Sequence, residues 1–350
     1  MNKKVVVGMS GGVDSSVAAY LLKEQGMDVI GVTMRTWKDN EEDDMAVTDA
    51  KRVAKQLNIP HYTLDFRPEF KKYVMDYFAN EYLMGRTPNP CVVCNRFVKW
   101  QMLLSRTAEY GCEYVATGHY AAVDKYPATG RFVIKESLNA AKDQTYALYN
   151  LTQEQLMHTI MPIGAYKKED VRAIAEKAGL EVAKKADSQD ICFVPDNDYV
   201  GFLKRNYGYT EKAGNFVDMQ GHILGSHKGI ANYTVGQRKG LGLACGKHVY
   251  VNQLRPDTNE VVISDNESLF KTKIYADKLN LMAVDKLDGE VRLTAKIRYA
   301  HKKSPCTVKM VGDILECTFD EPQRAPAPGQ AIVLYDGSYV YGGGTIIKGE

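Results

Sequence analysis

The feature that most constrains this chain is the junction between an apolar run, Val5–Val7, and a glycine–serine turn, Ser10–Ser16. The apolar run predicts a buried strand, and the residues from Asp14 onward predict a helix that begins near that position. Gly11 and Gly12 carry no Cβ, so backbone N–H groups there can approach a ligand closely. These N–H groups and the helix N-terminus together favour an anion. The junction therefore predicts a strand–turn–helix unit that binds the phosphate chain of a nucleotide, with an empty tight turn as the plainer alternative.

The turn differs from the two most familiar nucleotide motifs. No Gly-Lys-Ser/Thr closes it, as a Walker A loop requires, and the dinucleotide pattern Gly-x-Gly-x-x-Gly is absent. The form Ser-Gly-Gly-Val-Asp-Ser-Ser instead resembles the PP-loop of ATP pyrophosphatases. Those enzymes split ATP into AMP and pyrophosphate and leave AMP on a substrate oxygen, so the resemblance implies ATP as a substrate.

Strand-like and helix-like segments alternate over the first part of the chain, which predicts an α/β fold with a parallel sheet covered by helices. The predicted strands after the first are Asp28–Met34, His61–Leu64 and Glu113–Thr117, and the predicted helices are Asp44–Leu57, Pro68–Met84 and Asn95–Tyr110. Ligands of such sheets bind beyond the carboxyl ends of the strands. The Ser10–Ser16 turn, Met34 and the turn at Thr117–His119 all fall there.

After about Asn206 the pattern changes to short alternating runs rich in glycine and tyrosine. These runs predict short antiparallel strands in a small central β-rich unit, followed by an all-β unit that we expect to be a barrel. We therefore expect three domains: an ATP-binding catalytic PP-loop domain at 1–206, a central domain at 207–271 and a C-terminal β-barrel domain at 272–350.

Composition excludes some classes of protein and leaves others open. The net charge of +2 does not by itself identify a nucleic-acid-binding protein. Apolar runs of membrane-spanning length and a signal peptide are both missing from the sequence, so we expect a cytoplasmic protein without a membrane partner. Seven cysteines spread over the chain indicate a reducing compartment in which any disulfide is catalytic.

A second chemical pattern is the cysteine pair in Pro88-Asn89-Pro90-Cys91-Val92-Val93-Cys94, which has Cys-x-x-Cys spacing, and a third cysteine, Cys192, follows Ser188-Gln189-Asp190-Ile191. A helix that begins at Asn95 would lower the pKa of the Cys94 thiol through its dipole. Three interpretations stay open: a redox-active thiol pair, a metal or iron–sulfur site with three thiolates, and ordinary buried thiols.

Together these motifs resemble the tRNA-specific 2-thiouridylase (MnmA/TrmU) family, and the resemblance extends in order along the chain. It includes the PP-loop, Gly85–Pro90, Cys94, Ser188–Cys192, Thr117–Tyr120, Lys142–Gln144, Gly236–Gly242, Arg298–Tyr299 and Ala327–Gln330. The resemblance implies that ATP adenylates the C2 oxygen of the wobble uridine of tRNA, and that sulfur from a cysteine persulfide then replaces this oxygen and releases AMP. It also implies a sulfur donor, either a cysteine desulfurase or a relay protein, and we expect a monomer.

The resemblance implies a role for each matched residue. The catalytic residues are Cys192, which carries the persulfide, and Cys94, the nucleophile. The residues implied to bind ATP are Gly8, Met9, Ser10, Gly11, Gly12, Val13, Asp14, Ser15, Met34 and Gly118, with Asp14 also implied to place Mg²⁺. The residues implied to contact the target base are Asn89, Pro90 and Cys91. The residues implied to contact the rest of the tRNA are His119, Lys142, Asp143, Gln144, Arg298, Tyr299 and Gln330.

One departure matters, because Cys91 stands where many members of the family carry an aspartate. It favours the alternative of an iron–sulfur-dependent tRNA thiolase that uses Cys91, Cys94 and Cys192. Two further alternatives are a PP-loop ligase that adenylates a small metabolite and a non-catalytic RNA-binding paralogue. The first would leave the cysteines without a role, and the intact PP-loop speaks against the second.

Overall fold

The structure is a computed structural model that describes residues 3–38, 44–186 and 191–350. In chain order its strands are β1 Lys4–Gly8, β2 Asp28–Arg35, β3 His61–Asp65, β4 Tyr114–Thr117, β5 Ala121–Lys125, β6 Phe132–Glu136, β7 Thr159–Ile160, β8 Gly214–Val217, β9 Ile223–His227, β10 Tyr250–Arg255, β11 Glu260–Ser264, β12 Phe270–Leu281, β13 Val291–Lys296, β14 Ser304–Val311, β15 Ile314–Arg324, β16 Ala331–Asp336 and β17 Tyr339–Gly349. The α-helices are α1 Val13–Glu24, α2 Met45–Gln56, α3 Arg67–Phe70, α4 Asp76–Leu83, α5 Pro90–Val93, α6 Leu103–Thr107, α7 Thr145–Leu148, α8 Gln153–Met157, α9 Lys168–Lys177 and α10 Tyr199–Tyr207.

Two π-helical segments extend the shorter helices. Lys71–Met75 joins α3 to α4, and Cys94–Met102 joins α5 to α6, so each set forms one continuous helix. Short 3₁₀ turns lie at Ala108–Tyr110, Ala140–Lys142, Glu181–Lys184, Ile230–Asn232 and Glu267–Leu269. Within the described ranges, every helix is too short or too polar to cross a bilayer.

The first part of the chain forms a five-stranded parallel sheet with the order β3-β2-β1-β4-β7. β1 lies at the centre because Val5, Val6 and Val7 are fully buried between the helices on the two faces. After β1 the chain forms β2 and β3 on one side of it, and then crosses to the other side, where β4 and β7 lie. The predicted α/β fold is confirmed, and the point where strand order reverses, between β1 and β4, opens a crevice beyond Gly8 and Thr117.

Two helix starts differ from the sequence prediction. α1 begins at Val13 with Gly12 as its N-cap, so Asp14 lies in the first turn and does not cap the helix. The helix predicted from Asn95 begins five residues earlier, because Pro90 occupies the first helical position, where its fixed φ is favourable and its missing N–H costs nothing. Cys91 and Cys94 therefore both lie inside this helix.

The central unit is a four-stranded sheet with the order β10-β11-β8-β9, packed around Phe216, Val251 and Val261. The prediction of antiparallel strands is right for two of its three pairings. The pairing of β8 with β11 is parallel. Alternation of apolar and polar residues is the same in parallel and antiparallel strands, so the sequence pattern does not reveal the strand direction.

The last unit is a closed barrel, as predicted. Its six strands run in the order β12-β15-β14-β13-β16-β17, and β17 pairs back onto β12. Alternate residues such as Leu293 and Ala295 on β13 point inward and are almost completely buried.

The barrel is packed tightly against the first part of the chain. The hairpin β5–β6, which the sequence did not predict, extends the barrel sheet at Tyr339. The hydroxyl of Tyr146 donates to Ala331 O at 2.8 Å, and the amide of Asn280 donates to Tyr149 O at 2.8 Å. Tyr146 and Tyr149 belong to the same hydrophobic cluster as the barrel interior, so the two units share one core.

Candidate active site

The glycine–serine turn leaves β1 at the carboxyl edge of the sheet and has a well-defined shape. Gly11 has φ of +66°, and a Cβ there would lie 2.5 Å from the carbonyl oxygen of Ala46, so only glycine fits. Ser15 Oγ accepts from Ser10 N at 3.1 Å and donates to Gly12 O at 3.2 Å. The first N–H groups of α1 have no partner within the helix. Together with the exposed Ser10 hydroxyl they form a donor set suited to phosphate.

A network of charged side chains supports the first turn of α1. Asp14 accepts from Lys168 Nζ at 2.7 and 2.9 Å and from the Tyr120 hydroxyl at 2.9 Å. On the other side, Lys185 Nζ donates to Gly11 O at 2.9 Å and to Asp49 Oδ2 at 2.6 Å. Each lysine forms an ion pair with a carboxylate, and these contacts tie the turn to segments more than 150 residues away in sequence.

The turn after β4 connects the glycine–serine turn to the rest of the crevice. A Cβ on Gly118 would lie 2.5 Å from Ser15 N, so the two turns touch backbone to backbone. The next residue, His119, bonds Thr117 Oγ1 through Nδ1 at 2.8 Å and lies against the Trp100 ring, with 5.4 Å between centroids. Burial lowers the pKa of His119 well below its usual value, and Lys99 adds to this effect, so the imidazole is neutral at pH 7.

The three cysteines singled out in the sequence lie in one neighbourhood. Cys91 and Cys192 are exposed and Cys94 is half-buried. Cys94 packs against a hydrophobic cluster that includes Phe70 and Phe193, and Met34 at the end of β2 packs against the same cluster. Each thiol acts electrostatically on the others, since Cys192 and Cys91 both raise the pKa of Cys94 and Cys91 raises that of Cys192.

The prediction that a helix dipole lowers the pKa of Cys94 is wrong. Burial raises the pKa of this thiol to about 12, while Lys99 acts in the opposite direction. Desolvation by the surrounding protein also raises the pKa of the Cys192 thiol, although the residue as a whole is exposed. The cause is the earlier helix start at Pro90, which moves Cys94 away from the free N–H groups and into contact with apolar side chains. Both thiols are therefore protonated at pH 7 in the protein as described.

The barrel holds the segment that leads into the cysteines. The amide of Gln330 donates to Thr87 O at 3.0 Å and to Pro88 O at 3.2 Å, and Thr87 N donates to Pro328 O at 2.8 Å. Asn89 then forms the N-cap position of the helix that contains Cys91. A C-terminal residue predicted to contact tRNA thus makes internal hydrogen bonds to the segment that leads into Cys91.

Several other residues predicted to contact tRNA also have internal partners. Asp143 accepts from Ser137 N and from Thr145 N and Oγ1, and Gln144 Oε1 accepts from Tyr120 N at 2.9 Å. These bonds fix the loop that carries Lys142 beside the turn after β4.

In the barrel, Arg298 donates to Arg324 O and Ala325 O at 2.7 and 2.8 Å. Tyr299 is half exposed, donates to Asp143 O at 3.1 Å and has its pKa raised by burial, then by Asp143, with a smaller effect from Cys91. The barrel therefore reaches the mouth of the cysteine neighbourhood.

Sequence reasoning missed two lysines in the crevice. Lys168 lies in a charged helix start and Lys99 in an amphipathic helix, and both patterns are typical of solvent-facing residues. Only the packing of distant elements turns these side chains inward. Three residues of the motif before Cys192, Ser188, Gln189 and Asp190, lie outside the described residues. Within the described ranges no group of three or more His, Cys, Asp or Glu side chains is arranged to hold a metal ion.

An anion-binding turn at the switch point of a parallel sheet, with thiols at the same edge, defines an ATP-using α/β enzyme of the PP-loop class. Residues 3–196, 201–265 and 271–346 match the families described as tRNA methyl transferase HUP domain, tRNA methyl transferase PRC-barrel domain and aminomethyltransferase beta-barrel domain. The chain is 57% identical to the tRNA-specific 2-thiouridylase MnmA of Lachnoclostridium phytofermentans, over 99% of this chain and 100% of the relative. The corresponding proteins of Clostridioides difficile and Clostridium kluyveri are 53% and 50% identical, over 99% of each chain. The chain belongs to the tRNA-specific 2-thiouridylase family.

Proposed function

We propose that this enzyme replaces the C2 oxygen of the wobble uridine of tRNA by sulfur in an ATP-dependent reaction. One arrangement carries the proposal. The turn after β4 lies against the glycine–serine turn at Gly118, and the charge of Lys99 acts both on His119 of this turn and on Cys94. This closeness supports a nucleotide site and a sulfur site in one crevice, as a reaction that uses both requires. Methyl transfer, which the family descriptions mention, would use neither a pyrophosphate-releasing turn nor a pair of thiols.

The first half-reaction activates the base. Oxide is a poor leaving group, so the C2 oxygen must be converted into a better one before sulfur can displace it. Attack of that oxygen on the α-phosphorus of ATP releases pyrophosphate and leaves AMP on the oxygen. We assign ATP binding to Gly8–Val13, Ser15, Met34 and Gly118, where backbone N–H groups and the Ser10 hydroxyl would hold the phosphates.

Asp14 does not fit the proposed role of magnesium ligand in this arrangement. Both of its oxygens already accept hydrogen bonds from Lys168, and one of them also accepts from Tyr120. Mg²⁺ is held in proteins by carboxylates together with phosphates and water, so a magnesium ion bound to ATP would have to displace Lys168 to reach Asp14. We therefore assign Asp14 to the support of α1.

The second half-reaction delivers sulfur. In the proposed role, Cys192 carries a persulfide received from a cysteine desulfurase or a relay protein. The Cys94 thiolate attacks the Sγ of Cys192, the bond to the outer sulfur breaks, and this sulfur leaves with its electron pair as hydrosulfide. Hydrosulfide then attacks C2 and expels AMP, and a dithiol reductant reopens the Cys94–Cys192 disulfide. The proximity of the two thiols supports this assignment.

Recognition of tRNA is assigned to the mouth of the same crevice. Asn89, Pro90 and Cys91 would contact the target base, and His119, Lys142 and Tyr299 would contact the flanking nucleotides. Asp143, Gln144, Arg298 and Gln330 would act by holding the loops that carry these contacts, because their polar atoms are bonded within the protein. We expect the enzyme to act as a monomer in the cytoplasm.

The test is reconstitution with a tRNA transcript, ATP and a persulfide-forming desulfurase, followed by mass spectrometry of the nucleosides. Cys94→Ser and Cys192→Ser should each abolish 2-thiouridine, while tRNA-dependent pyrophosphate release persists in at least one of them. Cys245→Ser is the matched control, because this half-buried cysteine stands outside the motifs. Formation of 2-thiouridine by both variants would refute the assignment. Pyrophosphate release that needs a small carboxylate and no RNA would favour a metabolite ligase.

A second candidate, an iron–sulfur-dependent thiolase, is favoured by the shared neighbourhood of Cys91, Cys94 and Cys192. A cluster held by three cysteines requires their thiolates to surround it, each bound to a different iron atom. Among the described residues, no group of three or more His, Cys, Asp or Glu side chains is arranged to hold a metal ion. Iron and acid-labile sulfide measured on anaerobically purified protein separate the two candidates. A stoichiometric cluster that is lost in Cys91→Ser would support the thiolase.

A further inference from the structure

We propose that Lys99 is the cation that stabilises anionic sulfur on Cys94 and Cys192 during sulfur transfer, and that the π-helical segment Cys94–Met102 exists to bring it there. The inference rests on the proposed function, because it assigns a charge partner to the two catalytic thiols of that reaction. It adds a residue that the motifs of the sequence did not indicate.

The helix geometry carries the first step of the argument. In an α-helix of 3.6 residues per turn, a residue five positions along lies roughly 140° away around the axis. In a π-helix the N–H of residue i+5 bonds to the carbonyl of residue i, so residue i+5 lies one turn above residue i on the same face. Cys94 and Lys99 are five residues apart within Cys94–Met102. The wider turn therefore puts the lysine above the thiol, where an α-helix would point it elsewhere.

The electrostatic neighbourhood carries the second step. The charge of Lys99 acts on Cys94, on Cys192 and on His119, so its ammonium group lies close enough to influence all three side chains. His119 is half-buried and neutral, and among the described residues the other titratable group that acts on both thiols is Cys91. Lys99 itself is half-buried, and none of the ion pairs found among the described residues involves it. A half-buried cation without a carboxylate partner is suited to bind an anion that forms only transiently.

The chemistry explains why such a cation is needed. Burial favours the neutral thiol, whereas attack on a persulfide requires the Cys94 thiolate, and the persulfide on Cys192 is itself anionic. As the new S–S bond forms, negative charge moves from Cys94 to the departing hydrosulfide. A fixed ammonium group close to both cysteines stabilises this charge at each stage without needing to move.

The proposal is tested by the pH dependence of Cys94 alkylation, in full-length protein carrying Cys91→Ser and Cys192→Ser. Iodoacetamide labelling of Cys94 is followed by peptide mass spectrometry, without ATP, tRNA or sulfur. Lys99→Met should slow labelling at pH 8 by about tenfold or more, which corresponds to a shift of about one pH unit in the thiol pKa. Lys99→Arg should retain the rate, and Lys55→Met, on the exposed face of α2, is the matched control.

The outcomes separate this inference from the proposed function. If Cys94 in Lys99→Met is labelled at the rate of the parent, and the thermal unfolding of the variant is unchanged, Lys99 does not stabilise the thiolate and the inference is overturned. It would leave open the roles of Cys94 and Cys192, which the 2-thiouridine assay tests independently. If Lys99→Met does not fold, Lys99→Gln in the same assay provides the answer, because it also removes the charge and keeps a polar side chain.

Discussion

Replacing Gly118 by alanine should disrupt the nucleotide site without touching any side chain in it. The added Cβ would lie 2.5 Å from Ser15 N, 2.6 Å from Asp14 C and 2.8 Å from Asp14 O. Ordinary contacts between such atoms are about 3.5–4.0 Å, so α1 and the turn after β4 must separate by roughly 1 Å. The obstructing atoms are all backbone, so a rotamer change cannot relieve the clash.

The cost of this separation follows from how firmly α1 is held. Its inner face, with Val17, Ala18 and Leu22, is almost completely buried. Overpacking of such sites destabilises by about 1–3 kcal/mol. Because the displaced atoms belong to the first turn of α1, we also expect the affinity for ATP to fall by about tenfold or more, equivalent to about 1.4 kcal/mol.

Urea unfolding and calorimetric titration with ATP measure the two effects separately. Gly8→Ala is the matched control for stability, because a Cβ there would meet its nearest neighbours at ordinary distances of 3.7–3.9 Å. Its unfolding free energy should change by less than about 0.5 kcal/mol. If Gly118→Ala kept both the stability and the ATP affinity of the parent, the contact between the two turns would not be what shapes the site.

Two further predictions concern the rest of the crevice. Gln330→Met removes two hydrogen bonds to the segment before Cys91, so the unfolding free energy should fall by about 1–2 kcal/mol. Thiolation should slow while the KM for ATP is unchanged, and exposed Gln220→Met is the control. A raised KM for tRNA at unchanged stability would instead indicate a direct contact between Gln330 and tRNA. Burial holds the pKa of His119 far below its unfolded value of about 6.5, so below that pH the unfolded chain binds one more proton than the folded protein. The free energy of unfolding should therefore fall by up to about 1.4 kcal/mol per pH unit as the pH falls. Unfolding curves at pH 7.5 and 5.5 should show a smaller loss for His119→Gln than for the parent, and equal losses would contradict the buried, neutral imidazole.

Much of the architecture could be predicted because its determinants are local. Three consecutive valines followed by Ser-Gly-Gly predict a buried strand and a glycine turn from side-chain volume and backbone freedom alone. The strands and helices that follow β1 were placed to within a few residues up to β4. The hairpin β5–β6 was missed because its partner, β17, lies about 200 residues away in sequence.

The sequence by itself determined which atoms are available for chemistry: a turn rich in N–H and hydroxyl donors, and thiols at Cys91, Cys94 and Cys192. Only the tertiary structure decided how these groups behave. Burial raises the pKa of Cys94, where a helix dipole was expected to lower it, and a π-helical turn brings Lys99 to the thiols. The physical reason is that the chemical groups a segment offers and its backbone conformation depend on the residues themselves and on their neighbours along the chain. Solvation and charge instead depend on everything nearby in space, whatever its position in the sequence.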